Sequence, residues 1–157
     1  MDMNRSALIS SLKEARQELV DLSKSLSPDE LKLPTRNEGW SVKDTLAHVA
    51  SSEAGLVAAA VRIIDGQVSA KPGFDLHAFN QRQVEKRRES SMEELLAELE
   101  ASRAEAFRTL ERLTDEQLCA KGCLSSGTPT DVLGVFKRIC AHEQSHCQDI
   151  RSAIGKL

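Results

Sequence analysis

Residues 26–31, Leu26-Ser27-Pro28-Asp29-Glu30-Leu31, and residues 113–118, Leu113-Thr114-Asp115-Glu116-Gln117-Leu118, decide the fold. Each follows a long amphipathic segment and reads as a short capped turn of helix. From Ser27 to Ser41 is fourteen positions, and from Thr114 to Thr128 is again fourteen, with a new long helix expected to start at each end point. The spacing predicts two similar helical hairpins in tandem. Upstream of the first turn, Arg5 to Leu26 carries Leu8, Leu12, Ala15, Leu19, Leu22 and Leu26 at steps of three and four, a single apolar stripe. Downstream, Ser41 to Asp65 carries Val42, Leu46, Val49, Leu56, Ala60 and Ile64. The second hairpin repeats the pattern from Ser91 to Leu113 and from Thr128 to Ile154. Ser41 with Asp44, Ser91 with Glu94, and Thr128 with Pro129 and Asp131 have the form of N-terminal caps. The joint from Gly66 to Ser90 is too long for a bundle turn, so it is expected to cross over and to hold a short helix from Asp75 to Arg88. The expected fold is all-α: one domain, residues 1–157, a four-helix bundle with its long crossover between helices 2 and 3.

Composition narrows the function. Net charge is −3, which excludes a global basic field for nucleic acid or anionic lipid. One Trp and no Tyr leave little for base stacking. No apolar run is read as a membrane span, and Met1 to Arg5 leads straight into a charged stretch with no signal core. The expectation is a cytoplasmic protein with no nucleic-acid or membrane partner and a small-molecule substrate. Cys119, Cys123, Cys140 and Cys147 form no C-x-x-C pair and are expected to be thiols, the first two in a loop and the last two in the core.

The chemistry rests on histidine. His142 and His146 are four apart on one helix, so their rings share a face. His48 lies ~10 Å beyond the start of the second helix, while His146 and His142 lie ~13 and ~20 Å before the end of the fourth. Those depths match if the two helices are antiparallel. Three neutral imidazoles then suit a divalent Zn, Ni or Fe ion and leave a position open for water or a thiolate. On spacing alone, ordinary core or surface histidines remain the competing reading. Residues 142–146 also match H-E-x-x-H, but a zinc protease is not expected, because no third ligand follows downstream. His77, in the crossover, reads as a surface residue. Glu53 and Glu143 are candidate general bases or supports of the ligands, although solvated surface acids are the favoured reading. Gly55 and Ala58-Ala59-Ala60 allow close helix approach or room for a pocket, and Lys86-Arg87-Arg88 reads as a solvated face.

Glu38-Gly39-Trp40-Ser41-Val42-Lys43-Asp44-Thr45-Leu46-Ala47-His48-Val49, with Ala141-His142-Glu143-Gln144-Ser145-His146, resembles the DinB-like superfamily, the bundle also found at the N-terminus of mycothiol-dependent maleylpyruvate isomerases. The resemblance spans nearly the whole chain. It implies an up-down-down-up bundle, a divalent metal on His48, His142 and His146, and a homodimer. It also implies a thiol-dependent transferase that uses a low-molecular-weight thiol, although the isomerases' further C-terminal domain has no counterpart before Leu157. A hydrolase with bound water as nucleophile, and a non-catalytic dimeric metal-binding stress protein, are the alternative expectations.

Overall fold

The computed structural model describes residues 2–66 and 70–156, with side chains from Arg5 onward. In chain order it contains helices α1 (Asp2–Ser25), α2 (Val42–Ile64), α3 (Leu76–Lys86), α4 (Met92–Arg112) and the one-turn α5 (Asp115–Leu118). Strands β1 (Lys121–Cys123) and β2 (Pro129–Asp131) follow, then helix α6 (Val132–Ala153). A 3-10 turn, Glu30–Lys32, follows α1. The caps at Ser41 and Ser91 are reciprocal. Each serine accepts from the N–H of Asp44 or Glu94, whose carboxylate accepts from the serine N–H. Such caps contribute about 1 kcal/mol each.

Helix directions follow from two apolar clusters. One unites Leu8 and Leu12 of α1, Val57 and Ile63 of α2, Leu110 of α4, and Val132 and Phe136 of α6. The other unites Leu19, Leu46, Leu95 and Ile150 from the opposite ends of the same helices. The four long helices therefore run up, down, down, up. The main contacts are α1 with α6, α6 with α2, and α2 with α4, so the two long helices of each half lie across a diagonal. The crossover carries α3, capped by Asp75, packed on α2 and tied to α4 by Arg87, which grips Glu98 at 2.6–3.1 Å. Arg87 thus leaves the expected solvated run.

The fourth helix starts later than expected. Residues 129–131 are extended, with Lys121 opposite Asp131 and Cys123 opposite Pro129. Asp131, rather than Thr128, caps α6 by accepting from the Gly134 N–H at 2.7 Å. Three-residue strands are too short for a period-two signature, so the Thr128-Pro129-Asp131 pattern reads as a helix start. Cys123 lies in β1, and Cys119 caps α5 rather than sitting in a loop. Gly122 is required where β1 meets α2, since a Cβ there would fall 2.7 Å from Ile63 Cγ1. The apolar-run reading also needs correction. Helix α2 has the length and mean hydropathy of a membrane span, but half of that window is buried inside the bundle.

With the cap moved to Asp131, the two halves make corresponding contacts at matching positions. Ser27 with Glu30, and Thr114 with Gln117, form the same reciprocal pair. Seven residues beyond these starts, Pro34 pairs with the cap Ser41 and Lys121 with the cap Asp131. The next residue of each helix, Val42 or Val132, donates to Leu33 or Ala120 at 2.9 or 3.1 Å. The second half has three extra residues in its connecting turn.

The same internal two-fold organises a buried polar knot. Arg16 and Arg103 stand eleven residues before Ser27 and Thr114, and Glu53 and Glu143 stand twelve after Ser41 and Asp131. Arg16 Nε donates to Glu143 and Arg103 Nε to Glu53, both at 2.6 Å, while the Nη2 atoms take the other carboxylate oxygens. Arg16 Nη1 donates to the Leu99 carbonyl and Arg103 Nη1 to that of Leu12, bridging α1 and α4. Removing one member leaves an uncompensated charge in the core, whereas removing all four does not. Arg103→Met should therefore lower the unfolding free energy in urea by about 3–5 kcal/mol, and the quadruple variant R16M/E53L/R103M/E143L should recover most of that loss.

Candidate metal centre

Helix α2 brings His48 in two turns after its capped start, and α6 brings His142 from its middle and His146 one turn further on. The antiparallel pairing of these helices makes the depths coincide. His48 Nε2 lies 3.0 Å from His142 Nε2, which lies 3.1 Å from His146 Nε2. Nitrogens bound to one ion at ~2.0–2.1 Å stand roughly 3.0–3.4 Å apart, so both separations fit a shared cation. All three ligand atoms lie within 4.8 Å of one another. The three sequence-predicted ligands thus converge, while His77 is exposed in α3, as expected.

The tautomers are set from behind. His146 Nδ1 faces Asp149 Oδ2 at 3.0 Å, an acceptor, so the ring proton sits on Nδ1 and the Nε2 lone pair points at the other imidazoles. Asp149 is itself buried. Arg36 Nε pairs with its Oδ1 at 2.6 Å, and Asn37 donates to its Oδ2 at 3.5 Å. The loop before α2 thereby latches onto the end of α6. Behind His48, Ser52 Oγ lies 3.3 Å from Nδ1. Trp40 packs over the His48 ring with centroids 4.9 Å apart, and its indole N–H donates to Gln81 of α3 at 2.8 Å. Burial, reinforced by the other two imidazoles, pushes His48 down to about 3. Burial, with His146 and Arg138, pushes His142 down to about 4. Burial also lowers His146, against the pull of Asp149. All three rings are neutral at physiological pH, the state a metal requires.

Glu53 and Glu143 are 3% and 1% exposed, which overturns the solvated reading. Both carboxylates are bound by Arg16 and Arg103. Charged residues inside an apolar stripe read as solvated when taken singly, and only their matched offsets in the two halves mark them as partners. Cys140 and Cys147 are buried as expected, and burial raises the Cys147 thiol to about 12. Asp149, Arg16 and Arg103 were not singled out by sequence reasoning, and Trp40 entered only within the stretch that carries the family resemblance. The signal available for Asp149 was its position three residues after His146, on the same helix face.

His48 and His142 border a cavity of about 600 Å³ between α2, α3, α6 and the β1–β2 turn. Gly55, Ala58 and Ala59 form its floor on α2, so the small-residue stretch makes room for a pocket. The volume suits a small organic molecule.

The chain is similar in fold to YfiT from Bacillus subtilis, described as "a probable metal-dependent hydrolase with an unusual four-helix bundle topology" (19% identity, 96% of this chain and 87% of that one, TM-score 0.76). It is also similar to the mycothiol-dependent maleylpyruvate isomerase (12% identity, 93% of this chain and 60% of that one, TM-score 0.77). A third relative is the colibactin self-resistance protein ClbS, solved in complex with a dsDNA (15% identity, 98% and 96% coverage, TM-score 0.72). The expectation of no nucleic-acid partner therefore stands beside one structural relative that binds duplex DNA. No curated protein matches the chain in sequence. The family model of the DinB superfamily matches residues 11–150, and with this bundle and its histidines the chain belongs to the DinB superfamily.

Proposed function

We propose that the protein is a metal-dependent transferase that joins a low-molecular-weight thiol to a small electrophile. The observation that carries this reading is the triangle of imidazole nitrogens at the wall of a 600 Å³ cavity. His48, His142 and His146 would hold the ion. A bound Zn, Ni or Fe ion supplies Lewis acidity that lowers the pKa of a thiol or a water. The three neutral ligands add no negative charge to offset it.

Hydrolysis is the second reading, supported by the description of YfiT. It calls for a proton acceptor beside the water. Glu53 and Glu143, the candidates for that role, are held by two guanidinium groups in the bundle core. Thiol transfer makes less demand on the protein, because a thiol of lowered pKa releases its proton to solvent. In this reading Glu53 and Glu143 position the helices that carry the histidines. Asp149 is a positioning residue for His146, and Trp40 holds the His48 ring and shields it from water.

Elemental analysis of untagged protein should find one divalent ion per chain, and none in His48→Ala. A histidine cluster serving only as core packing would give no metal in either. Asp149→Asn should weaken metal binding 10–100-fold while leaving the melting temperature of the EDTA-treated protein close to wild type. In Co²⁺-loaded protein, an added low-molecular-weight thiol should shift the visible spectrum. An unchanged spectrum, with the metal retained, would reject the thiol reading in favour of hydrolysis.

A further inference from the structure

The cavity beside the histidines carries a charge pattern that the metal reading does not use. Arg62, Lys71 and Arg138 line it, and no described residue lining it is acidic. None of the three has a carboxylate partner among the described residues. Arg62 donates to Ser125 Oγ at 2.9 Å, Lys71 Nζ lies 6.0 Å from the Phe74 ring centroid, and Arg138 stands one helical turn before His142. In a chain of net charge −3, with 24 acidic residues, this is a local excess against the overall sign. Eight of the other ten arginines, Arg5, Arg16, Arg36, Arg87, Arg88, Arg103, Arg108 and Arg151, form salt bridges, whereas Arg82 and Arg112, outside the cavity, form none among the described residues.

The cations occupy two positions. Arg62 and the Lys71 backbone are both tied to Ser125, whose hydroxyl accepts from the Arg62 guanidinium and whose carbonyl accepts from the Lys71 backbone N–H, so both residues line the same end of the cavity. Along α2, Arg62 lies fourteen residues beyond His48, a rise of ~21 Å that its side chain, leaning toward the helix start, shortens. Arg138 lies at the imidazole end. The rest of the wall is mostly apolar, with Leu56, Phe74, Phe79 and Leu124 beside the polar Ser51, Ser52 and Asn80. Arg62 offers a half-buried guanidinium fork and Lys71 an exposed ammonium at the cavity wall, groups that bind an anionic head by charge-assisted hydrogen bonds.

We propose that the cavity selects small organic anions with an apolar body. Arg62 and Lys71 hold the anionic head, and Arg138 attracts negative charge at the end facing the imidazoles. The proposal rests on the reading of this site as an enzyme's and names the class of its electrophilic substrate. Calorimetry with 4-phenylbutyrate, 4-phenylbutanol and 4-phenylbutylamine tests it, on metal-loaded and on EDTA-treated protein whose metal content is measured in parallel. The carboxylate should bind at least tenfold more tightly than the alcohol, and the amine more weakly still. In Arg62→Met/Lys71→Met, whose side chains lie at the cavity's far end, that preference should collapse to under threefold while the alcohol binds as in wild type. The preference should survive removal of the metal, so that loss of the metal reading and loss of this one are separate results. Equal binding of acid and alcohol, no binding of either, or a preference that vanishes with EDTA but survives the double variant would overturn it. So would a 12-base-pair DNA duplex that displaces 4-phenylbutyrate at lower concentration than free acid does, which would reassign the cations to nucleic-acid phosphates.

Discussion

Two guanidinium groups and two carboxylates, buried together at the centre of the bundle, constrain everything around them. Arg16 and Arg103 enter from the outer helices of the two halves, and Glu53 and Glu143 from the inner ones. A charge taken out of water is costly unless its partners are well placed, so the knot tolerates little change in helix register. Sliding α6 by one residue along α2 would misalign Glu143 and, with it, His142 beside it. The alignment of the imidazole nitrogens is thus inherited from an ion-pair network that touches no ligand.

Around this knot the site is held from two further directions. The loop before α2 reaches the end of α6 through Arg36, Asn37 and Asp149, which fixes the tautomer of His146. The crossover helix reaches Trp40 through Gln81 and so holds the ring that covers His48. The long connection that separates the two hairpins therefore also forms one wall of the cavity and supports the His48 ring.

Much of this was legible from the residues. The leucine stripes predicted four helices, the serine caps placed the starts of α2 and α4, and matching the depths of His48, His142 and His146 required α2 and α6 to be antiparallel. The rest was hidden for physical reasons. The β1–β2 hairpin is too short to show alternation, and it moved the cap of α6 from Thr128 to Asp131. Arg16 and Arg103 look like exposed arginines in any single helix, because ionic pairing across a core leaves no local pattern. The repeat held the clue. The offsets of Arg16 and Arg103 from Ser27 and Thr114 already agree between the halves, and those of Glu53 and Glu143 agree once the cap is moved.

The internal two-fold also relates the imidazole cluster to the cavity wall. Counting from the caps, the counterpart of His48 in the second half is Arg138, and the counterparts of His142 and His146 in the first half are Ser52 and Leu56. Those three residues all line the cavity. The two-fold therefore relates the imidazole cluster to a serine, a leucine and an arginine on the same cavity wall. Equivalent places in the two halves carry three nitrogen donors on one side and a hydroxyl, an aliphatic chain and a guanidinium on the other, so a near-symmetrical backbone presents an asymmetric chemistry.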